Sequence, residues 1–218
     1  MVKVFVIGIT GGVGSLLAQK LAARGDVVSG LVRRDRQSAD LAARGITAVV
    51  GDLSAMTVDD LVTAFGRAEA VVFTAGSNGG AADVTKAVDE DGLAKAVEAA
   101  ERVVGRRFIA VSVFPEAWRE RDLTADEEYY FSAKKRADVV VSRSVTDWVI
   151  LRPSLLVDGL GRGTIALGPA ELHGESVRED VAATLAEILH EPRISLKILE
   201  LNSGTMPIAE AVRLNVRP

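Results

Sequence analysis

The fold of this 218-residue chain is decided by Lys3-Val-Phe-Val-Ile-Gly8-Ile-Thr10-Gly11-Gly12-Val13-Gly14-Ser-Leu-Leu-Ala-Gln-Lys-Leu21, an apolar run, a glycine-rich turn and an amphipathic segment. Its glycines at positions 8, 11 and 14 have the G-x-x-G-x-x-G spacing. Without side chains such a turn can be tight and can approach a pyrophosphate, which the free N–H groups of the following helix stabilise. We therefore expect a strand, a cofactor-binding turn formed by residues 8 and 10–14, and a helix. A purely structural turn is the alternative.

Apolar runs alternate with helical patterns along the rest of the chain, which is typical of a parallel sheet with helices on both faces. We predict an α/β doubly wound parallel sheet, a Rossmann fold, in a single domain over 1–218, with 152–218 as a small substrate-side portion. The predicted strands are 3–8, 27–32, 47–50, 70–74, 107–113, 147–151 and 196–201. The predicted helices are 13–23, 39–43, 58–65, 84–104, 126–143 and 177–189. Capping boxes are expected at Thr124 with Glu127 and at Ser176 with Glu179, and a helix stop at Gly25.

Composition excludes several classes of protein. The net charge is −4 and the basic residues are scattered, so nucleic acid is not an expected partner. The absence of cysteine excludes disulfides and thiolate sites, and two lone histidines make a metal site improbable. With no apolar run near about 18 residues and no leader before the first strand, we expect no membrane span and a cytoplasmic location. The expected partner is a small-molecule substrate, with the chain a monomer or small homo-oligomer.

The end of the second predicted strand indicates the type of dinucleotide. An NAD site usually has an acidic residue there, roughly 20 residues past the first glycine, that binds both ribose hydroxyls. This chain has Arg33 and Arg34 instead. A 2′-phosphate carries negative charge that a carboxylate would repel and a guanidinium can hold. The sequence therefore predicts NADP(H) in preference to NAD(H), the alternative being two merely solvated arginines.

Seven short motifs follow the glycine turn. They are Gly51-Asp52-Leu53, Thr74-Ala75-Gly76, Val88-Asp-Glu-Asp-Gly92, Arg107-Phe108 to Ser112, Tyr130-x-x-x-Lys134, Leu151-Arg152-Pro153 and Arg178-Glu179-Asp180-Val181-Ala182. Together with the G-x-T-G-x-x-G turn, this order resembles the atypical short-chain dehydrogenase/reductase superfamily over the whole chain. The resemblance is to its small NAD(P)H-binding branch, which includes NmrA-like proteins and the biliverdin reductase B or flavin reductase type.

The resemblance implies where the cofactor is bound. The hydroxyl of Thr10 would brace the glycine turn. Asp52, followed by Leu53, would accept a hydrogen bond from the adenine amine, although a turn or cap role is the alternative for this aspartate. Segment 74–76 would pass beside the cofactor ribose, and Pro153 would lie beside the nicotinamide.

The same resemblance implies a catalytic set of Ser112, Tyr130 and Lys134. Tyr130 and Lys134 are four residues apart on a predicted helix and so share one face. In reductases of the superfamily the Tyr hydroxyl protonates the carbonyl oxygen, the ammonium lowers the Tyr pKa and holds the ribose, and the Ser hydroxyl binds the same oxygen. The alternative is that Tyr130 packs as a half-buried aromatic residue while Lys134 alone contacts the ribose.

Apolar residues near these positions are candidates for a substrate pocket. Phe114 and Trp118 follow the fifth predicted strand, and Leu155 follows Pro153. Surface packing is the alternative for the loop residues.

The leading functional hypothesis is an NADPH-dependent oxidoreductase that reduces a small carbonyl, quinone-like or flavin-like substrate by hydride transfer. One alternative is a non-catalytic NADP(H) sensor, as among NmrA-like regulators, with a protein partner. The other is an epimerase or dehydratase acting on a sugar nucleotide. Only roughly 65 residues follow Pro153, which is a short segment for enclosing a sugar nucleotide.

Overall fold

The computed structural model describes residues 1–103, 105–114, 117 and 122–216. Its strands are β1 (Lys3–Ile7), β2 (Val27–Val32), β3 (Thr47–Val50), β4 (Ala70–Phe73), β5 (Arg107–Val111), β6 (Asp147–Pro153), β7 (Leu155–Val157), β8 (Thr164–Gly168), β9 (Glu175–Val177), β10 (Lys197–Ser203) and β11 (Met206–Pro207). Its helices are α1 (Gly12–Ala23), α2 (Asp35–Ala42), α3 (Val58–Phe65), α4 (Ala82–Thr85), α5 (Leu93–Glu101), α6 (Ala125–Arg143), α7 (Arg178–Leu189) and α8 (Ile208–Leu214). A π-helical segment, Lys86–Gly92, joins α4 to α5.

A nine-stranded sheet has the strand order β3-β2-β1-β4-β5-β6-β10-β8-β11. Neighbouring strands from β3 to β10 are parallel, whereas β8 is antiparallel to both β10 and β11. The order reverses at β1, which pairs with β2 on one side and β4 on the other. The predicted doubly wound parallel sheet, a Rossmann fold, is confirmed, and ligands of such sheets bind outside the carboxyl ends of the strands at this reversal.

Alternate residues of β1 enter two separate hydrophobic cores, because successive side chains of a strand point to opposite faces. Val4 and Val6 pack into the core that α1, α7 and α8 cover. Phe5 and Ile7 pack into the opposite core, which α3, α5 and α6 cover. The central strand is therefore buried on both faces, which is why it reads as a continuous apolar run in the sequence. No helix of the described ranges is both long and apolar enough to cross a bilayer.

All seven predicted strands are present, and differences are concentrated after residue 154. The strands β7, β8, β9 and β11 and the helix α8 were not predicted. β7 and β9 have three residues each and form a separate parallel pair, so neither is long enough to show a period in the sequence.

The predicted helix ends are confirmed in two cases and wrong in one. The capping box of Thr124 is present, with Glu127 N donating to Thr124 Oγ1 at 3.3 Å, and Gly25, at φ +81°, follows the end of α1. Ser176 does not cap α7, which begins after Val177. Its hydroxyl instead donates to the carbonyl of Leu201 at 3.0 Å, a partner in β10 that local sequence cannot reveal.

Candidate functional site

The glycine turn lies where the sheet order reverses. Gly8 has a φ of +90°, which favours glycine, and Gly11 N donates to Gly8 O at 2.9 Å to close the turn. Gly11 is the N-cap of α1, and the first turn of that helix contains no acidic residue. The free N–H groups and the positive end of the helix dipole are therefore available to an anion.

The three glycines of the motif are required for different reasons. A Cβ at Gly14 would lie 2.2 Å from Gly8 O and 2.6 Å from Thr74 Oγ1, so no side chain fits between α1 and the turn. A Cβ at Gly8 would lie 2.5 Å from Ala75 N. At Gly11 the nearest atom of the protein is Gly8 O at 3.2 Å, so the fold itself leaves more room there.

The hydroxyl that braces this turn belongs to Thr74 and not to Thr10. Thr74 Oγ1 donates to the carbonyl of Ile7 at 3.0 Å, which ties the end of β4 to the end of β1. Thr10 is exposed, and its hydroxyl has no hydrogen-bond partner among the described residues. The bracing role expected for Thr10 is therefore wrong, because β4 reaches the turn from the adjacent strand.

The ends of β2 and β3 bring a guanidinium close to a carboxylate. Arg33 and Arg34 are exposed, and Arg33 has no ion-pair partner in the described part of the chain. Asp52 accepts from the N–H and hydroxyl of Ser54 at 2.9 and 2.7 Å, and these two bonds, with the field of Arg33, lower the pKa of Asp52. Leu53 is buried beside it. The carboxylate is thus ionised and remains an acceptor.

A buried ion pair lies beneath segment 74–76. Lys134 Nζ lies 3.0 Å from Asp89 Oδ1 and donates to the carbonyl of Val111 at 3.2 Å. Asp89 is fully buried within the π-helical segment, and its other oxygen accepts from Ser77 N at 2.8 Å. A Cβ at Gly76 would lie 3.1 Å from Asp89 Oδ1 and 4.0 Å from Lys134 Nζ, so the pair supports the backbone at that point.

Asp89 was not identified from the sequence as a site residue. Its motif, Val88-Asp-Glu-Asp-Gly92, contains three acidic residues, and only the π-helical turn decides which of them faces Lys134. π-Helical turns inside α-helices are frequent at functional sites. Asp89 could have been identified from the sequence as an acidic residue on a predicted helix that packs against the helix of Lys134.

Tyr130 lies in an apolar setting beside this pair. Its ring meets Phe131 edge to face at 5.7 Å and lies 5.9 Å from Lys134 Nζ. Burial raises the pKa of Tyr130, the ammonium of Lys134 opposes that shift, and Asp89 reinforces it. Lys134 thus acts on the Tyr130 pKa in the expected direction, but burial, reinforced by Asp89, outweighs it, and the net shift is a rise.

Ser112 follows β5 and is buried close to a second charged group. Its hydroxyl has no hydrogen bond of normal geometry among the described residues. Burial raises the pKa of the neighbouring Asp138, while Ser112 and Arg152 oppose the shift. Arg152 lies 2.9 Å from Asp138 and 3.6 Å from Glu200, so this arginine braces the end of β6, where the buried Pro153 lies.

Two of the three residues predicted for a substrate pocket, Phe114 and Leu155, lie within the described structure. Phe114 is buried in a small cluster with Phe131 and Tyr130, and its ring meets His173 edge to face at 5.5 Å. Leu155 is 37% exposed on β7. Trp118 lies outside the described residues.

From the geometry of the glycine turn we expect Gly14→Ala to reduce the stability of the fold and Gly11→Ala to reduce the affinity for NADPH. Gly14→Ala should destabilise the fold by about 1–3 kcal/mol or more, because its Cβ meets backbone. Gly11→Ala should keep the wild-type melting temperature within a few degrees but lose NADPH affinity. Thermal unfolding and NADPH titration of both variants measure this. A Gly11→Ala variant with full affinity would contradict the phosphate-binding assignment.

From the buried ion pair we expect that removing Lys134 alone destabilises the fold more than removing the charges of Lys134 and Asp89 together. Lys134→Met should cost about 3–5 kcal/mol, because Asp89 is left buried and uncompensated. Adding Asp89→Asn should recover most of that loss, since the amide still accepts from Ser77. Urea unfolding of the two single variants and the double variant measures the coupling. A double variant no more stable than Lys134→Met would show that the pair is not the cause.

The comparisons with known proteins agree with this geometry. Residues 8–192 match a family model described as NAD(P)H-binding. The chain is 36% identical over 213 residues to Bacillus subtilis YhfK, named an uncharacterized sugar epimerase, with 97% of this chain and 99% of YhfK covered. It is 32% identical over 224 residues to Saccharomyces cerevisiae YMR090W, with 97% of each covered.

A solved structure is similar over the full length. It is a Bacillus halodurans protein named for the NAD-dependent epimerase/dehydratase class, with a TM-score of 0.88, 31% identity, and coverage of 98% of this chain and 100% of that chain. From the family match, supported by these relatives, the chain belongs to the NAD(P)H-binding family.

Proposed function

We propose that the chain is an NADPH-dependent reductase of a small carbonyl, quinone-like or flavin-like molecule. The observation that carries the proposal is Arg33, an exposed guanidinium without an ion-pair partner in the described residues, at the end of β2. An acid at this place would bind the ribose hydroxyls of NAD and repel a 2′-phosphate. Arg33 and Arg34 would reverse that preference, because a guanidinium can hold a 2′-phosphate.

The cofactor would extend across the carboxyl ends of the strands. Residues of the glycine turn (Gly8, Thr10, Gly11, Gly12, Val13 and Gly14) would hold the pyrophosphate. Asp52 and Leu53 would receive the adenine, the backbone of Thr74, Ala75 and Gly76 would run beside the ribose, and Pro153 would support the nicotinamide. When bound, the nicotinamide supplies hydride.

Lys134 would bind the ribose, and its contacts within the protein would fix the position of its ammonium group. An ammonium has three N–H donors; Lys134 Nζ donates to Val111 O and forms an ion pair with Asp89 Oδ1 at 3.0 Å. A donor would be left for a ribose hydroxyl next to Gly76. Burial acts to lower the pKa of Lys134, but the carboxylate of Asp89, 3.0 Å away, opposes burial, and the net shift is a rise, so the lysine is charged.

Tyr130 would be the proton donor in the reduction. Its raised pKa keeps the phenol protonated, which suits a donor of a proton to a carbonyl oxygen. Ser112 would contribute its hydroxyl to the same oxygen. The same group would act as the base in the oxidation of a sugar hydroxyl, the first step of many epimerisations. The names of YhfK and of the Bacillus halodurans protein mention epimerases, so turnover must separate reduction from epimerisation.

The Arg33 assignment predicts a measurable cofactor preference. A charge-assisted hydrogen bond contributes roughly 1.5–3 kcal/mol, so NADPH should bind about tenfold to a hundredfold more tightly than NADH. Arg33→Gln should lose most of that ratio by weakening NADPH alone. Fluorescence titration of both cofactors measures it, and Arg44→Gln is the control, since Arg44 is an exposed arginine at the amino end of β3.

Two results would overturn the preference. The first is equal affinity of the wild-type chain for the two cofactors. The second is an Arg33→Gln variant that keeps the wild-type ratio.

Turnover separates the candidate functions. Oxidation of NADPH should be observed with at least one member of a panel of carbonyls, quinones and flavins. With a carbonyl substrate, Tyr130→Phe should slow turnover by about a hundredfold and leave NADPH affinity unchanged. Because burial raises the pKa of Tyr130, the fall of wild-type turnover at alkaline pH should come at a higher pH than the ordinary pKa of a tyrosine would give, and should be absent from Tyr130→Phe.

The matched control is Tyr129→Phe, whose hydroxyl contacts Glu90 at 3.4 Å. If the substrate is flavin-like, Tyr130→Phe should have little effect, because solvent can protonate a ring nitrogen. Absence of turnover on the whole panel would favour the NADP(H) sensor. Isomerisation of a sugar nucleotide without net NADPH oxidation would establish the epimerase.

A further inference from the structure

The motif Arg178-Glu179-Asp180 at the start of α7 is not explained by the proposed chemistry. Its two carboxylates hold the loop 158–163, which follows β7. Glu179 accepts from Gly161 N at 2.9 Å, and Asp180 accepts from the N–H groups of 162 and 163 at 2.9 Å each. Glu179 also pairs with Lys20 of α1 at 3.2 Å. The motif therefore fastens the C-terminal portion of the chain to the helix that follows the glycine turn.

Arg178 extends the other way, onto the glycine turn itself. A Cβ at Gly12 would lie 2.8 Å from Arg178 Cδ and 3.1 Å from its Nε. The side chain thus crosses the first residue of α1, where the N–H groups are free. Glycine at position 12 makes room for this arginine, which separates its role from those of Gly8 and Gly14.

The electrostatics of this placement need an anion. The guanidinium lies at the positive end of the α1 dipole, where a cation is unfavourable and where the helix has no acidic residue in its first turn. Within the described residues its ion-pair partner is Asp158, at 2.9 Å, whose side chain is 92% exposed. Exposed pairs of this kind contribute little. Asp158 therefore does not account for a cation held at this position, whereas a pyrophosphate would.

We infer that Arg178 is a binding residue for the pyrophosphate of the dinucleotide. It supplies a guanidinium from α7 opposite the N–H groups of the glycine turn, and Asp158 occupies that guanidinium when no phosphate is bound. This inference rests on the proposed dinucleotide site. It adds a contact from the C-terminal portion, so that the loop 158–163 and the cofactor are held by the same three-residue motif.

The test compares equilibrium dissociation constants of NADPH and NADH for the full-length chain and its variants. Arg178→Gln should weaken both cofactors by the same factor, about tenfold or more, because both carry the pyrophosphate. Arg33→Gln should weaken NADPH alone. Arg178→Lys should give an intermediate loss, since it keeps the charge without the planar fork. Arg44→Gln is the matched control for removal of one positive charge.

Asp158→Asn provides a second measurement, on a side chain that is exposed and whose replacement should not disturb folding. Removing a carboxylate that competes with phosphate should leave both affinities equal to or tighter than those of the wild type. Melting temperatures of all variants without cofactor report any loss of folding.

The outcomes separate this inference from the proposed function. If the wild type binds the cofactors and Arg178→Gln binds them with affinities within twofold of the wild-type values, the role of Arg178 is wrong while the proposed cofactor site is unaffected. Loss of NADPH affinity alone would place Arg178 at the 2′-phosphate and also contradict the inference, as would an Asp158→Asn variant that binds more weakly. A wild-type chain that binds neither dinucleotide would overturn both proposals.

Discussion

The close approach of α1 to the end of β1 is the constraint on which the rest of the site depends. Gly14 lies so near Gly8 O that a Cβ there would be 2.2 Å from that oxygen, and Thr74 closes the turn from β4. This contact aims the N-terminus of α1 at the point where the strand order reverses. Because the strands are parallel, the segments that follow β2, β3, β4, β5 and β6 reach the same edge of the sheet.

A second constraint is the buried ion pair that lies beneath the backbone of residues 74–76. Lys134 and Asp89 bring a cation and an anion into an otherwise apolar interior, where each compensates the other. The pair joins α6 to the π-helical segment and leaves the ammonium beside Gly76. Burial raises the pKa of Tyr130, and Asp89 adds to that rise while the ammonium of Lys134 opposes it.

The sequence predicted the parts of this molecule that depend on local pattern. Strands such as β1 and β4 are buried on both faces, so they are continuous apolar runs, and the glycine spacing indicated the turn between β1 and α1. The parts it did not predict depend on residues far apart in the chain. Ser176 bonds to Leu201, Thr74 braces Ile7, Asp89 pairs with Lys134 and Arg178 crosses Gly12. The short strands β7 and β9 were missed because three residues show no period.

We propose that one dinucleotide occupies this edge of the sheet in a single defined orientation. A crystal structure of the chain with NADPH would decide this. We expect the pyrophosphate over the N–H groups that follow Gly11, the 2′-phosphate on Arg33 and the nicotinamide between Ser112 and Pro153. A dinucleotide bound elsewhere, or a 2′-phosphate that faces solvent while Arg33 makes no contact with it, would show that the proposal is wrong.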